Sequence, residues 1–275
     1  MKKFVILFFV FCFVSCKNKE GNLKIIEGNA IGTTFSIRYL DDGGFDFKPK
    51  IDSLIKAINK STSTYIPTSD ISKINRGDTT VVVDAYFEEV FTKSEKIYKE
   101  TRGDFDPTVG ILVNAWGFGP EDAIENLDSV KIKELLNFVG FNKVSLKNRK
   151  VQKLYPEIYV DFNAIGKGYL VDMVGRLFEA HHIENYMVEI GGEIRARGVN
   201  EKNIAWRIAI DLPVDQADGL DERQLQSIVS VKDAAICTSG NYRKFYEEDG
   251  VKRSHTISPF TGYPVQHSLL SATIH

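Results

Sequence analysis

The sequence predicts an α+β fold, a mainly antiparallel sheet with covering helices, and three observations predict it. Alternating apolar and polar residues recur in the second half near 193–199, 205–212 and 226–231, the period-two pattern of half-buried strands. Two segments of the first half instead space apolar residues three and four apart, as amphipathic helices do. The two patterns do not alternate regularly, so the chain is not built of βαβ units. At 275 residues it can bury a core in one large domain or two interlocked lobes.

Taken in order, Lys2 and Lys3 precede an apolar run from Phe4 to Val14. The run is too short for a bilayer-spanning helix, which needs about 20 residues, and suits a secretory signal. Phe13-Val14-Ser15-Cys16, followed by polar Lys17-Asn18-Lys19-Glu20, resembles the bacterial lipoprotein signal, in which cleavage precedes a cysteine that is then acylated. Residues 1–15 are therefore expected to be a signal peptide, Cys16 the lipidation site, 16–23 a polar tether and 24–275 the folded domain. Two or three acyl chains hold a protein on a membrane stably where one does not. The protein is expected to be exported and lipid-anchored on the periplasmic side of a bacterial membrane. Cys12 leaves with the signal and Cys16 carries lipid, so Cys237 has no disulfide partner; it is expected to be a small buried residue.

Thr33–Tyr39 alternates as a strand. A helix from the late forties to about 60 places Ile51, Leu54, Ile55 and Ile58 on one face, and another, capped by Asp84, buries Phe87, Val90, Phe91, Ile97 and Tyr98. Strands at 157–161 and 185–190 flank a helix around 166–180. A chain that is 43% hydrophobic and 26% charged is not disordered. A net charge of −2 with scattered lysines and arginines leaves no footprint for nucleic acid.

Four segments could carry chemistry. Asp161-Phe162-Asn163-Ala164-Ile165-Gly166-Lys167 sets a carboxylate at a strand end, a glycine in a turn and a lysine at a helix start. Helix N-terminal amides and a lysine both favour phosphate, although a plain strand-to-helix turn reads the same way. It is neither a Walker A loop nor the three-glycine dinucleotide fingerprint. Glu189-Ile190-Gly191-Gly192-Glu193 reads as a hairpin more readily than a site. Thr238-Ser239-Gly240-Asn241-Tyr242-Arg243 reads as the opening of a helix with a hydroxyl cap. His255 lies in a compact loop set by Pro259, Gly262 and Pro264, and a lone histidine is more often structural than catalytic.

Together with Ile31-Gly32-Thr33-Thr34-Phe35, Ser63-Thr64-Tyr65, Ser69-Asp70-Ile71-Ser72-Lys73-Ile74-Asn75, Gly103-Asp104-Phe105-Asp106-Pro107-Thr108-Val109-Gly110 and Trp116-Gly117-Phe118-Gly119-Pro120, these segments in this order resemble the ApbE family, the FAD:protein FMN transferases. The resemblance implies two lobes enclosing FAD, Mg²⁺ at its diphosphate, and transfer of FMN to a threonine or serine of a target flavoprotein, here a subunit of a membrane redox complex, with release of AMP. It also implies that Ile31, Tyr65, Asp104, Phe105, Asp106, Asp161, Lys167 and Ile257 contact the flavin nucleotide. By the same resemblance Ala164 lies at the metal, and His255 and Lys167 serve catalysis.

Those assignments are chemically coherent. Lys167 would neutralise a diphosphate, His255 would take the acceptor's proton, and Tyr65 and Phe105 would offer flat apolar surface. Ile31 stands where methionine is usual in the family, Asp104 where a small apolar residue is usual, and Ser258 where aspartate is usual. Two rival activities share these residues, an FAD pyrophosphatase using water as nucleophile and a flavin-binding lipoprotein without turnover. The chain stops at Ser271-Ala272-Thr273-Ile274-His275, inside an expected core strand. The resemblance implies a further helix whose aspartate and threonine complete the Mg²⁺ site. The domain is therefore expected to lack its C-terminal end and to bind FAD and transfer FMN poorly.

Overall fold

The computed structural model describes residues 21–213, 224–240, 245–248, 251–266 and 268–275. Its first hairpin pairs β1 (Leu23–Ala30) with β2 (Thr33–Leu40) across a two-residue turn. Both turn residues, Ile31 at φ 44° and Gly32 at φ 76°, lie in the left-handed region that a tight hairpin requires. A β-branched side chain there is an outlier. Sequence reading passed over β1 because Gly28 interrupts its pattern. That glycine makes room for a ring: a Cβ would stand 2.8 Å from Phe35 Cζ.

Helix α1 (Lys48–Thr62) buries Ile51, Ile55 and Ile58 as its periodicity predicts. α2 (Asp70–Asn75) starts at Ser69, whose hydroxyl accepts the Ser72 N–H. α3 (Ala85–Glu100) starts at Asp84, whose carboxylate accepts the Phe87 N–H at 2.9 Å, and buries Phe87, Val90 and Phe91. Then follow α4 (Gly110–Ala115), α5 (Ser129–Leu136), the hairpin β3 (Val144–Lys147) and β4 (Lys150–Lys153), and α6 (Asn163–Ala180). The remaining strands are β5 (Tyr186–Ile190), β6 (Glu193–Arg197), β7 (Trp206–Asp211), β8 (Leu225–Val231), β9 (Ala234–Gly240), β10 (Phe245–Glu248), β11 (Val251–Ser254) and β12 (Ser271–Ile274).

Six strands form one antiparallel sheet in the order β1-β2-β5-β6-β9-β12. One face packs on α1, α3 and α6 through Ile37, Phe47, Phe87, Phe178, Tyr186 and Val188. Burial of Phe47 or Phe178 contributes about 1.5–3 kcal/mol each. The opposite face of β6 and β9 presents Ile194, Ala196 and Ile236 to Trp206, Ile208 and Val231 of the β7–β8 ribbon. A separate core under α4 and α5 gathers Leu112, Ile132, Leu135, Val139 and Ile257. Mixed helix and antiparallel sheet is the class the sequence predicts.

Several local expectations are corrected. Residues 157–161 form no strand; Tyr159 makes one isolated bridge to Val109. The Asn75 side chain replaces a ladder there, donating to Val160 O at 2.8 Å and accepting Val160 N–H at 2.9 Å. α6 begins at Asn163, so Gly166 sits in its first turn, its N–H on Phe162 O at 2.8 Å, and not in a preceding loop. Thr238-Ser239-Gly240 open no helix but end β9, where Thr238 faces Thr273 of β12; residues 241–244 lie outside the described ones. Cys237 is exposed; it alternates with buried Ile236 and so lies on the opposite face of β9, near Glu193 and Lys167. Among the described residues β12 stands last in the sheet order, paired with β9.

Candidate functional site

Two tight turns and the start of α6 meet at one end of the six-stranded sheet. Gly191 and Gly192, at φ 55° and 96°, turn β5 into β6, so this segment is a hairpin as expected. The turn lies against the first hairpin: Gly191 N–H donates to Thr34 O at 3.1 Å, and a Cβ on Gly191 would stand 2.7 Å from Thr33 Cγ2 and 3.2 Å from Lys167 Cδ. Only glycine fits between them. Lys167, in the second turn of α6, reaches this junction with Nζ 2.8 Å from Glu193 Oε2 and 3.3 Å from Gly191 O. Ile31 flanks the junction and lines an open groove of about 520 Å³ with Thr33, Ile55 and Asn59.

A second group surrounds Asp161. Its Oδ1 accepts the Asn163 N–H at 2.6 Å and its Oδ2 the Asn163 side-chain amide at 3.0 Å, and that amide also reaches Thr64 Oγ1 at 3.2 Å. Burial pushes the Asp161 carboxyl up from the ordinary carboxylate range. Gly110 permits this approach, since a Cβ there would lie 2.9 Å from Asp161 Cβ and 2.8 Å from Tyr159 Cδ1. Tyr65 is 59% exposed, a large aromatic face open to solvent, and its hydroxyl donates to Phe118 O at 3.5 Å. Partial burial raises its phenol, and the Asp161 charge raises it further, so the two share one neighbourhood.

The remaining candidates stand on other loops, and one of them is already engaged. Asp104 is exposed and Phe105 half-buried, whereas the Asp106 carboxylate is buried and clasps its own loop. It accepts Thr108 N–H at 2.8 Å, Thr108 hydroxyl at 2.6 Å and Phe141 N–H at 3.2 Å. Burial raises its pKa, and those donors oppose the rise. Ile257 is buried in the core under α4 and α5, offering little surface to a ligand. His255 is half-buried just after β11, on a loop whose frame is dense. Ser258 N–H donates to Tyr263 O at 2.9 Å, Val265 N–H to Thr256 O at 2.8 Å, and the Trp116 indole to Gly262 O at 2.8 Å. Gly262 at φ 76° would bring a Cβ within 2.5 Å of Ile132 Cγ2, so the loop seats directly on α5.

Ala164 is exposed in the first turn of α6 and has only a carbonyl to offer a cation. Among the described residues no group of three or more His, Cys, Asp or Glu could hold a metal ion. Sequence reading missed Glu193, Asn163 and Thr64 as site neighbours. Glu193 follows the double glycine directly, but only the antiparallel register turns it towards α6.

Residues 31–275 match the model of the ApbE family. An FAD:protein FMN transferase of Haemophilus influenzae is 36% identical over 269 residues, covering 93% of this chain and 77% of that protein. One from Vibrio cholerae is 38% identical over 259 residues, covering 90% and 75%. Among solved structures, the flavin transferase ApbE from Vibrio cholerae superposes with a TM-score of 0.80 at 34% identity, over 92% of this chain and 81% of that one. The apo flavinyl transferase ApbE of Pseudomonas stutzeri gives 0.79 at 27% identity.

Proposed function

This chain belongs to the ApbE family and is an FAD:protein FMN transferase, and we propose that the α6 junction with the two turns receives the diphosphate of FAD while the 255–264 loop supplies the base. In the transfer, the hydroxyl oxygen of an acceptor threonine or serine bonds to the phosphorus of the FMN half. The phosphoanhydride bond to the AMP half breaks, and AMP leaves with that bond's electron pair. The acceptor's proton passes to His255 as the general base.

The observation that carries this reading is the meeting of Lys167 with the glycine turn at 191–192, where its ammonium lies 3.3 Å from Gly191 O beside the first hairpin. Backbone and ammonium groups held in advance stabilise charge on a transferring phosphoryl group without reorganisation. Tyr65 gives a flat surface for the ring system, and Asp161 accepts a hydrogen bond from the nucleotide. Mg²⁺ is part of what the family resemblance implies. By that resemblance the Ala164 carbonyl would supply one of the six oxygen ligands it takes, and among the described residues no group of three or more His, Cys, Asp or Glu could hold it. On this chain's side, Lys167 would neutralise part of the diphosphate charge.

The acceptor is a flavoprotein, and a subunit of a membrane redox complex is the proposed target. Attachment through Cys16 would hold the enzyme beside it on the periplasmic face. Two substitutions test the site. His255→Ala should leave FAD affinity within about threefold and lower transfer by about 10²–10⁴-fold, the usual contribution of a general base. Tyr65→Ala should weaken FAD binding first. Fluorescence titration beside covalent-flavin gels separates the two, and equal loss of affinity in both variants would refute the division of roles. Release of AMP from FAD without flavinylated acceptor would identify a pyrophosphatase instead, and no release at all a flavin binder.

A further inference from the structure

Lys167 does not stand alone at the junction. Its ammonium is 2.8 Å from Glu193 Oε2, and the pair is well covered, with side chains 35% and 16% exposed. Glu193 is the first residue of β6 and pairs with Ile190 across the turn, so its backbone is held by the hairpin ladder. Ile194 and Ala196 on the same strand face the β7–β8 ribbon. Alternation then sends Glu193 and Arg195 to the α6 side, where Arg195 binds Asp172 at 3.1 Å and Glu179 at 2.7 Å. The same strand thus grips α6 twice, at Lys167 near its start and at Asp172 and Glu179 further along.

A lysine has a long, flexible stem and loses rotamer freedom when fixed. Unrestrained, it would sample positions well away from an incoming phosphate. Here the ammonium donates to the Gly191 carbonyl at 3.3 Å and lies in an ion pair with the Glu193 carboxylate before any substrate arrives. The carboxylate also places a negative charge beside an anion site, which weakens ground-state attraction for FAD. Restraint and repulsion oppose each other in binding, whereas only restraint matters for alignment of the reacting phosphorus.

We propose that Glu193 is a positioning residue for flavin transfer, acting through Lys167 by holding its ammonium at the turn as a preformed ion pair. This rests on the assignment of Lys167 to the FAD diphosphate. The test is a double-mutant cycle in the full-length chain, with FAD affinity by fluorescence titration and turnover by covalent-flavin formation at saturating FAD. Glu193→Ala should lower kcat about tenfold or more while changing the FAD Kd by less than about threefold. Glu193→Gln, which keeps an oxygen for the ammonium and removes the charge, should restore kcat to within about threefold of the parent and bind FAD more tightly. In a Lys167→Ala background, Glu193→Ala should cost nothing further in kcat.

A parent-like kcat in Glu193→Ala, or an undiminished loss in the Lys167→Ala background, would overturn the proposal. Thermal melts of every variant separate misfolding from misplacement. A Glu193→Ala variant that does not fold leaves Glu193→Gln to decide, since full kcat with unchanged affinity there would deny the ion pair any part in the reaction. If Lys167→Ala alone changes neither FAD affinity nor turnover, it is the assignment of Lys167 to the diphosphate that fails.

Discussion

Asp161 shows how one side chain can be set against the stability of its own fold. Burial raises its carboxyl, and the donors from Asn163 offset only part of that rise. A carboxyl whose folded pKa lies above its unfolded value costs nothing below the unfolded value, about 3.9. The cost grows as pH rises and is complete above the folded value. Asp161→Asn should therefore raise the melting temperature at pH 7, with the gain shrinking as pH is lowered towards 4. The same variant should bind FAD more weakly at pH 7, where the parent carboxylate is the better acceptor. A Tm series against pH beside a binding titration checks both, and a variant that melts below the parent at every pH would show that the Asn163 contacts outweigh the desolvation.

The elements around the site are held by side chains at their ends. Asp84 caps α3 and also accepts the buried Ser61 hydroxyl at 2.8 Å, tying α1 to α3 through one carboxylate. Replacing such a cap by alanine costs about 1 kcal/mol, and here a buried hydroxyl loses its acceptor as well. Asp84→Ala should lower Tm by about 2–4 °C per kcal/mol lost while leaving the FAD Kd unchanged, because α3 supports the sheet face away from the two turns. Calorimetry beside the binding titration checks it; a shift in affinity would mean that α3 shapes the pocket. Further along α3, Glu89 receives both Arg176 nitrogens, at 2.7 and 2.9 Å, and the Tyr169 hydroxyl at 3.1 Å. The Arg176 hydrogen bond holds the Glu89 carboxyl below its ordinary range. Its contribution to stability is present above that range and is lost as pH falls through the depressed value, the reverse of Asp161.

Across the molecule, one face of the sheet packs on helices and the other is covered at β6 and β9 by the β7–β8 ribbon. The reacting groups stand on short turns and a helix start, supported by two separate cores. A transferase whose acceptor sits on a membrane gains effective concentration from being tethered to the same surface. Cys16 is the proposed tether, outside the described residues. Cys16→Ala should abolish incorporation of labelled palmitate and release the protein from the membrane fraction. It should also leave flavinylation of a soluble acceptor fragment unchanged. Continued palmitate labelling of that variant would place the anchor elsewhere.

Periodicity and caps were sufficient for α1 and α3, because these helices owe their faces and starts to neighbours in the chain: Ile51, Ile55 and Ile58 on one stripe, Asp84 before Phe87. The motif order was likewise enough to recognise the family and the flavin transfer. Local pattern failed where a partner distant in sequence supplied the structure. Residues 157–161 read as a strand, but an asparagine from α2 satisfies their backbone; Thr238-Ser239-Gly240 read as a helix start, but β12 pairs with them. Cys237 read as buried, yet the face it occupies was decided by which side Ile236 packed. Asp106 and Asp161 are both aspartates beside glycine-rich turns. One closes on its own loop through Thr108 and Phe141, and the other stands beside an exposed aromatic ring. Neither fate can be read from spacing, because the Phe141 N–H at Asp106 and the Tyr65 ring at Asp161 are brought near by the fold. Glu193 is the clearest case: its neighbours mark only a hairpin, and its contact with Lys167 exists because the sheet register and the path of α6 bring two charges to the same point.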